Sequence, residues 1–358
     1  MKLFKIFMKV VILIVLTIIV VFAGFLAWAT LTDYKPDAVE TLPVKGEWLP
    51  SAALADTISL LTWNIGYAGL GKEMDFFYEG GKRVRPTAIE FQRYLNGVLE
   101  SLAKVEHPDF VLIQEVDRKA KRSYYTDEVS LIDSLYNGYS SVYASNYDVR
   151  FVPVPPAEPM GSVKAGLTTL SRYRSDDARR VAFPSSYAWP KRLFMLDRCF
   201  LLTRYKMAEG KVLVLINTHN SAFDDAADMR KLELALLQKT MLEEFAQGNY
   251  VIVGGDWNQN PLPFDPAFIT DGNIAYRITP PIPANFIPAD WKWAFDPERA
   301  TNRNVNESYQ KGRTGTTIID FFVLSPNIEL LEVKTLPQDF TFSDHQAVQM
   351  KICFIKKK

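Results

Sequence analysis

Six short apolar segments of the 358-residue chain end on, or enclose, groups that a packed core rejects. LLTWN sets Asn64 after Trp63, VLIQEV sets Glu115 after three aliphatic residues, and LVLINTHN delivers Asn217, His219 and Asn220. VIVGGDWNQNP leaves a β-branched run through Gly254 and Gly255 and then presents Asp256 and Asn258. TTIIDFFVL encloses Asp320 between isoleucines and phenylalanines, and TFSDHQAVQM carries Asp344 and His345 into a further apolar run. Taken singly, each has an ordinary explanation: Asn64 as a turn residue, Glu115 paired with an arginine, Asp344 as a turn cap, His219 as a satisfied core histidine. Taken together they demand more, because a buried carboxylate costs several kcal/mol unless it is paired or bound to a metal. The fold therefore has to gather these strand ends at one place. The chain has three histidines, and two of them lie in these segments; His107, in EHPDF, reads as structural.

The rest of the chain supplies a scaffold for such a gathering. Strands are predicted at Ile58–Trp63, Phe110–Ile113, Leu167–Leu170, Cys199–Thr203, Val212–Ile216, Val251–Val253, Ile318–Leu324 and Ala347–Ile352. Phe91, Leu95, Val98 and Leu102 recur at helical spacing, preceded by Thr87 and Glu90 in a capping-box pattern. A second stripe, Leu234, Leu237, Met241 and Phe245, stops at Gly248. Many strands and few long helices give an α/β fold of the α+β type, with mixed sheets packed face to face and helices outside. Pro261 to Gly315 has no clear period and reads as a long surface excursion, whose Trp291, Trp293 and Phe295 form either a ring-binding rim or packed core.

The amino terminus belongs to another environment. Lys2, Lys5 and Lys9 precede an apolar run from Val10 to Ala29, relieved only by Thr17 and Gly24. About 20 such residues cross a bilayer, Trp28 falls where an interfacial ring belongs, and the lysines favour an inside amino terminus. Residues 1–30 are thus read as a transmembrane signal anchor contacting lipid through residues 10–29. A cleaved signal peptide ending at Ala27-Trp28-Ala29 is the alternative, disfavoured because signal cores run to about 7–15 apolar residues. Both readings place the chain beyond Thr30 outside the cytoplasm, either held at the cell envelope or secreted. Residues 31–56, with Pro36, Pro43, Gly46 and Pro50, read as a linker.

The formal charge of zero conceals a segregation. Removing Lys2, Lys5, Lys9 and Lys356 to Lys358 from the 41 basic residues leaves 35 against 41 acidic ones, so residues 10–355 carry about −6. Nucleic-acid binders usually show a basic footprint instead, which leaves nucleic acid the less favoured partner. Cys199 and Cys353 sit in apolar stretches and form no zinc-ligand pattern.

Carboxylate and amide oxygens without thiols suit a hard cation such as Mg²⁺, which keeps waters for a substrate phosphate. Histidines beside it can move protons at neutral pH. The chemistry indicated is metal-assisted attack of water on a phosphoryl group. In the order W-N, Q-E, N-T-H-N, G-D-x-N, I-D-F and S-D-H, the motifs resemble the endonuclease/exonuclease/phosphatase superfamily over about residues 57–354. Its members include deoxyribonucleases, abasic-site endonucleases, inositol polyphosphate 5-phosphatases and neutral sphingomyelinases. The resemblance implies a four-layer sandwich, two mixed sheets between helices, making residues 57–355 a catalytic domain. It further implies Glu115 as principal ligand of Mg²⁺ (Mn²⁺ being the alternative ion), helped by Asn64, with Asp344 near the metal. Asp256 would orient or deprotonate the attacking water, and Asn258 would hold a phosphoryl oxygen. His345, oriented by Asp320, would contact the phosphate or transfer a proton. His219 would stabilise transition-state oxygens or protonate the leaving group, with Asn220 beside it.

Two other enzyme signatures are set aside. Gly66 to Glu73 nearly spells a Walker A loop but carries Glu73 where the Mg²⁺-binding hydroxyl belongs, and no G-x-S-x-G elbow occurs. Export and acidic balance favour a phospholipid or sphingolipid headgroup as substrate. A secreted nuclease, a phosphatase of soluble metabolites and a non-catalytic membrane scaffold are the alternatives.

Overall fold

Apolar residues on both faces of the central strands dictate how the sheets stack. In the computed structural model, which describes residues 1–46, 54–207, 210–222 and 228–355, the strands in chain order begin with β1 (Val39–Thr41), β2 (Thr57–Asn64), β3 (Phe110–Asp117), β4 (Ser140–Val152), β5 (Gly161–Ser171) and β6 (Asp177–Ala182). Next come β7 (Cys199–Lys206), β8 (Val212–His219), β9 (Tyr250–Asp256), β10 (Ile274–Ala275), β11 (Lys292–Ala294) and β12 (Asn302–Arg303). The last are β13 (Gly315–Thr317), β14 (Asp320–Leu324), β15 (Ile328–Thr335) and β16 (Val348–Phe354). One sheet has the order β1-β6-β7-β8-β9-β14-β11, the other β15-β16-β2-β3-β5-β4, and β10-β13-β12 form a small third sheet.

Successive side chains point to opposite faces of a strand, and the cores divide accordingly. Leu60, Leu112, Leu215, Ile252 and Phe322 share the cluster between the two large sheets. Their neighbours Leu61, Val111 and Ile113 turn outward against Val98 and Leu102 of α2 (Ala88–Lys104) and Val129 and Ile132 of α3 (Glu128–Leu135). On the opposite side Val214, Ile216, Val251, Val253 and Phe321 meet Leu234, Leu237 and Met241 of α4 (Asp228–Ala246). The expected four layers are present, and both helical stripes are core faces.

Chain direction then collects the polar strand ends. β2 and β3 run parallel, as do β8 and β9, with α2 and α4 as the respective crossovers. Asn64, Glu115, His219 and Asp256 therefore arrive at the same edge of the sandwich. β14 is antiparallel to β9 and β16 to β2, so Asp320, which opens β14, and His345, just before β16, reach that edge as well.

The structure corrects one sequence expectation, decides another and adds unforeseen strands. The stretch read as a linker is partly built into the fold: Glu40 registers with Arg180, and Leu42 and Val44 pack against the cluster around Cys199. Apolar side chains in a proline-punctuated run were enough to dock it; Pro50 and the terminal Lys356 to Lys358 lie outside the described residues. Trp291 and Trp293 do not form a rim, because they pack with Phe321 and Phe245 under α4, and Phe295 packs there too. β4, β6 and β15 were not foreseen. β15 is an edge strand whose Glu329, Glu332 and Lys334 break the apolar pattern. Cys199 and Cys353 are free thiols. Ahead of the sandwich stands α1 (Lys2–Leu31), long and apolar enough for a membrane anchor or a signal sequence.

Candidate active site

The two glycines of VIVGGDWNQNP explain how Asp256 reaches the edge. A Cβ on Gly254 would fall 2.4 Å from the Phe322 ring. Gly255 has φ +141, and a Cβ there would fall 2.1 Å from the Thr218 carbonyl oxygen of the neighbouring strand. Only glycine lets β9 lie this close to β8 and β14 at its last turn. Asp256 consequently registers with His219 on one side and Asp320 on the other. Asn258 comes next at φ +50, its N–H bonded to Asp256 Oδ1 at 2.9 Å and its Nδ2 donating to the Asn220 carbonyl at 2.8 Å.

Glu115 is delivered by a different device. The register of β3 against β5 slips between Ile113 and Val116, and Glu115 takes φ +52 within that bulge. A bulge re-aims a side chain; here Glu115 faces the cleft while Gln114 turns into the core. Gln114 Nε2 donates to Asn217 Oδ1 at 2.7 Å, and Asn217 Nδ2 to the Thr168 carbonyl at 2.9 Å. Asn217 is thus a polar tie between the sheets beneath the site.

Asn64 joins the two carboxylates across the seam of the sandwich. Its Nδ2 lies 3.1 Å from Glu115 Oε1 and 3.0 Å from Asp256 Oδ2, and its Oδ1 accepts from Gly66 N–H at 2.9 Å. His219 Nε2 stands 3.6 Å from both carboxylates. His345 Nδ1 meets Asp320 Oδ2 at 2.8 Å, while its Nε2 lies 3.8 Å from Asp256 Oδ2 and 3.9 Å from Asp344 Oδ2. Eight of the nine expected residues thus form one contiguous group. The ninth, Asn220, is fully buried and enters through its backbone carbonyl. Asn64, Asn220 and Asp320 stand behind the cleft wall; the other six line a cavity of about 500 Å³.

The electrostatics are those of crowded carboxylates that share a single histidine cation. Among the described residues no lysine or arginine forms an ion pair with Glu115, Asp256 or Asp344. Burial pushes Asp256 up to about 6, with Asp320 adding to the effect against the opposing pull of His345. Burial likewise raises Asp344 to about 7, with Glu115 adding to it. His219 is driven well below its usual range by burial, then by Arg198, His345 and Arg122, and is neutral. For His345 burial opposes the charge, but Asp320, Asp344 and Asp256 outweigh it and raise the ring well above its usual range. Three carboxylates that share one charged ring, and pair with no lysine or arginine among the described residues, fit a hard divalent ion. Asp256, Asp320 and His345 also offer ligand atoms within 4.8 Å of one another.

Several cleft residues were missed from the sequence. Asn302 Nδ2 touches His345 Nε2 at 3.0 Å; its clue was the spacing TNRNVN, which puts Asn302, Asn304 and Asn306 on one side of an extended chain, and all three line the cavity. Arg122, buried against Asp117 at 2.9 Å and stacked on Tyr67 at 3.6 Å, also lines it, as does Arg198, whose Nη1 holds the Asn220 carbonyl at 2.8 Å. Nothing in the local sequence distinguishes these arginines from surface ones.

The sequence profile described as the Endonuclease/Exonuclease/phosphatase family matches residues 61–345. No curated protein matches the chain. Among solved structures, D. rerio TDP2 complexed with single strand DNA product is similar at TM-score 0.54 and 14% identity, over 83% of this chain and 99% of that one. An endonuclease/exonuclease/phosphatase family protein from Leptotrichia buccalis C-1013-b gives TM-score 0.52 and 13% identity, over 83% and 100%. The endonuclease/exonuclease/phosphatase from Bacteroides vulgatus gives 0.51 and 14%, over 83% and 99%. Likeness at such identities speaks for the fold.

Proposed function

The chain belongs to the endonuclease/exonuclease/phosphatase family of metal-dependent phosphoric ester hydrolases, and from that premise we propose that it hydrolyses a phosphoester headgroup at a membrane surface, outside the cytoplasm, with Mg²⁺ or Mn²⁺. The observation that carries the reading is the Asn64 amide, which holds Glu115 of one sheet and Asp256 of the other around a single cleft. When bound, the divalent cation polarises a phosphoryl oxygen and offsets developing negative charge.

The side chains divide the remaining work. Glu115 is the principal ligand, with Asp344 beside it and Asn64 as the tether of both Glu115 and Asp256. Asp256 orients the attacking water and takes its proton, a role suited to a carboxyl near 6. His345, held by Asp320, presents a charged ring to the phosphate. His219 is neutral, so its Nε2–H serves as a hydrogen-bond donor to the transition-state oxygens rather than as an acid. Asn258, fixed to Asn220, keeps its second amide hydrogen for a phosphoryl oxygen. Residues 1–30 act as the anchor and 57–355 as the catalytic domain.

The substrate class rests on the apolar helix α1 and on the net charge of about −6 over residues 10–355. The D. rerio neighbour holds a DNA product, so the test sets lipid against nucleic acid. Bis(nitrophenyl) phosphate, sphingomyelin-containing vesicles, plasmid DNA and inositol phosphates are offered with Mg²⁺ and with EDTA. Mg²⁺-dependent cleavage of the soluble diester and of vesicle lipid is the expected outcome. Cleavage of plasmid DNA with no action on lipid overturns the lipid reading, and metal-independent activity overturns the assignment of the site.

A further inference from the structure

The last two turns of α1 are seated on the domain, and the segment beneath them is also a wall of the cleft. Phe25 stacks on Phe194 with ring centroids 5.7 Å apart and meets Phe151 edge-on at 6.2 Å. Trp189 Nε1 donates to Thr30 Oγ1 at 3.3 Å, Arg192 Nη2 lies 3.7 Å from Asp33 Oδ2, and Ala29 is buried. On both sides of these contacts the same segment lines the cavity, through Ser186 and Tyr187 before Trp189 and through Met195 and Leu196 after Phe194. Two residues of chain span at most about 7 Å. The cleft wall and the helix contact are therefore parts of one short structure.

Helix geometry sets its depth. From Lys9, the last charge, to Trp28 the helix rises about 28 Å at 1.5 Å per residue, close to the ~30 Å of a hydrocarbon core. Phe25 then lies within about 5 Å of the outer boundary, and Phe194 and Phe151 lie at its level. Trp28 and Trp189 are 43% and 55% exposed, each leaving a large part of its ring open at the height where such rings settle. Lys191, 4.0 Å over the Tyr187 ring, adds positive charge at the level of lipid phosphates. The wall that leads inward from there, Met195 and Leu196, is apolar.

We propose that residues 185–196 lie in the outer headgroup layer of the bilayer that α1 crosses, so that the cleft opens onto the lipid surface and draws its phosphoester from that same bilayer. This rests on the hydrolase reading above and makes α1 a positioning element rather than a tether.

The test uses the full chain reconstituted in vesicles of equal parts phosphatidylcholine, phosphatidylglycerol and sphingomyelin, with bis(nitrophenyl) phosphate as the soluble probe. The F25A/W189A double variant is expected to lose at least tenfold in headgroup release while splitting the soluble diester within twofold of wild type. Unchanged lipid hydrolysis overturns the proposal, as does an equal fall in both rates or a wild type that splits the soluble diester and no vesicle lipid. A wild type that splits neither sinks the hydrolase reading itself. Independently of activity, lipids brominated near the headgroup end of the acyl chain should quench wild-type fluorescence more than that of W189F, and equal quenching contradicts the placement.

Discussion

His345 Nδ1 stands 2.8 Å from Asp320 Oδ2, both side chains shut away from solvent, with Nε2 turned toward Asp256 and Asp344. Asp320 favours the charged ring and fixes which edge of it faces the cleft. D320N keeps the shape of the side chain and removes its charge. It is expected to lower kcat about 100-fold or more with KM and Tm little changed, checked by steady-state kinetics beside a thermal melt. A KM effect with kcat intact would move His345 out of the chemistry.

Gly255 stands at φ +141 against the Thr218 carbonyl, so G255A must push β9 from β8 and pull Asp256 away from His219. Overpacking of this kind costs about 1–3 kcal/mol. Chemical denaturation should show that loss, and activity on the soluble diester should fall by far more than the fraction unfolded explains.

Glu90 closes the capping box of α2, accepting from Thr87 N–H at 2.7 Å and pairing with Arg83. The Arg83 contact and the cap hold its carboxyl down to about 2, against burial that opposes them. A depressed carboxyl pKa stabilises the fold above its unfolded value near 4.3 and ceases to do so as pH falls through the folded value. E90Q is therefore expected to cost about 1 kcal/mol at pH 7, with the gap to wild type closing between pH 4.3 and 2. Parallel melts across that range measure it, and a gap independent of pH contradicts it.

Crowded carboxylates make the fold sensitive to metal. A ligand at a hundredfold excess over its Kd stabilises by about 2.7 kcal/mol, so Mg²⁺ or Mn²⁺ should raise wild-type Tm. E115Q should lose that response together with activity. In chelator the order reverses: E115Q should match or exceed wild type in Tm, because one of the mutually repelling charges is gone. A variant that is unstable in chelator and fully responsive to metal would remove Glu115 from the ligand set.

Much of this was legible because strands buried on both faces are written as unbroken apolar runs, and a polar residue in such a run stands out. Glu115, Asp256 and Asp320 were found that way, and Thr87 with Glu90 announced α2. Residues whose placement depends on distant partners were not legible. Asn302 becomes a neighbour of His345 only when a long excursion folds back, and Arg122 gains its meaning from burial against Asp117 and Tyr67. Trp291 and Trp293 were left open between rim and core because a proline-rich run has no period to reveal that its rings face inward. Val39 to Thr41 looked like a linker because three residues of edge strand carry no pattern.

Diffraction from crystals soaked in Mn²⁺, recorded at the manganese edge, would show where the ion sits. One anomalous peak is expected in the cleft about 2.1 Å from a Glu115 carboxylate oxygen, within reach of Asp344 and beside the Asn64–Asp256 pair. Crystals that are saturated with the ion and show no peak there, or show one elsewhere on the protein, would contradict that placement.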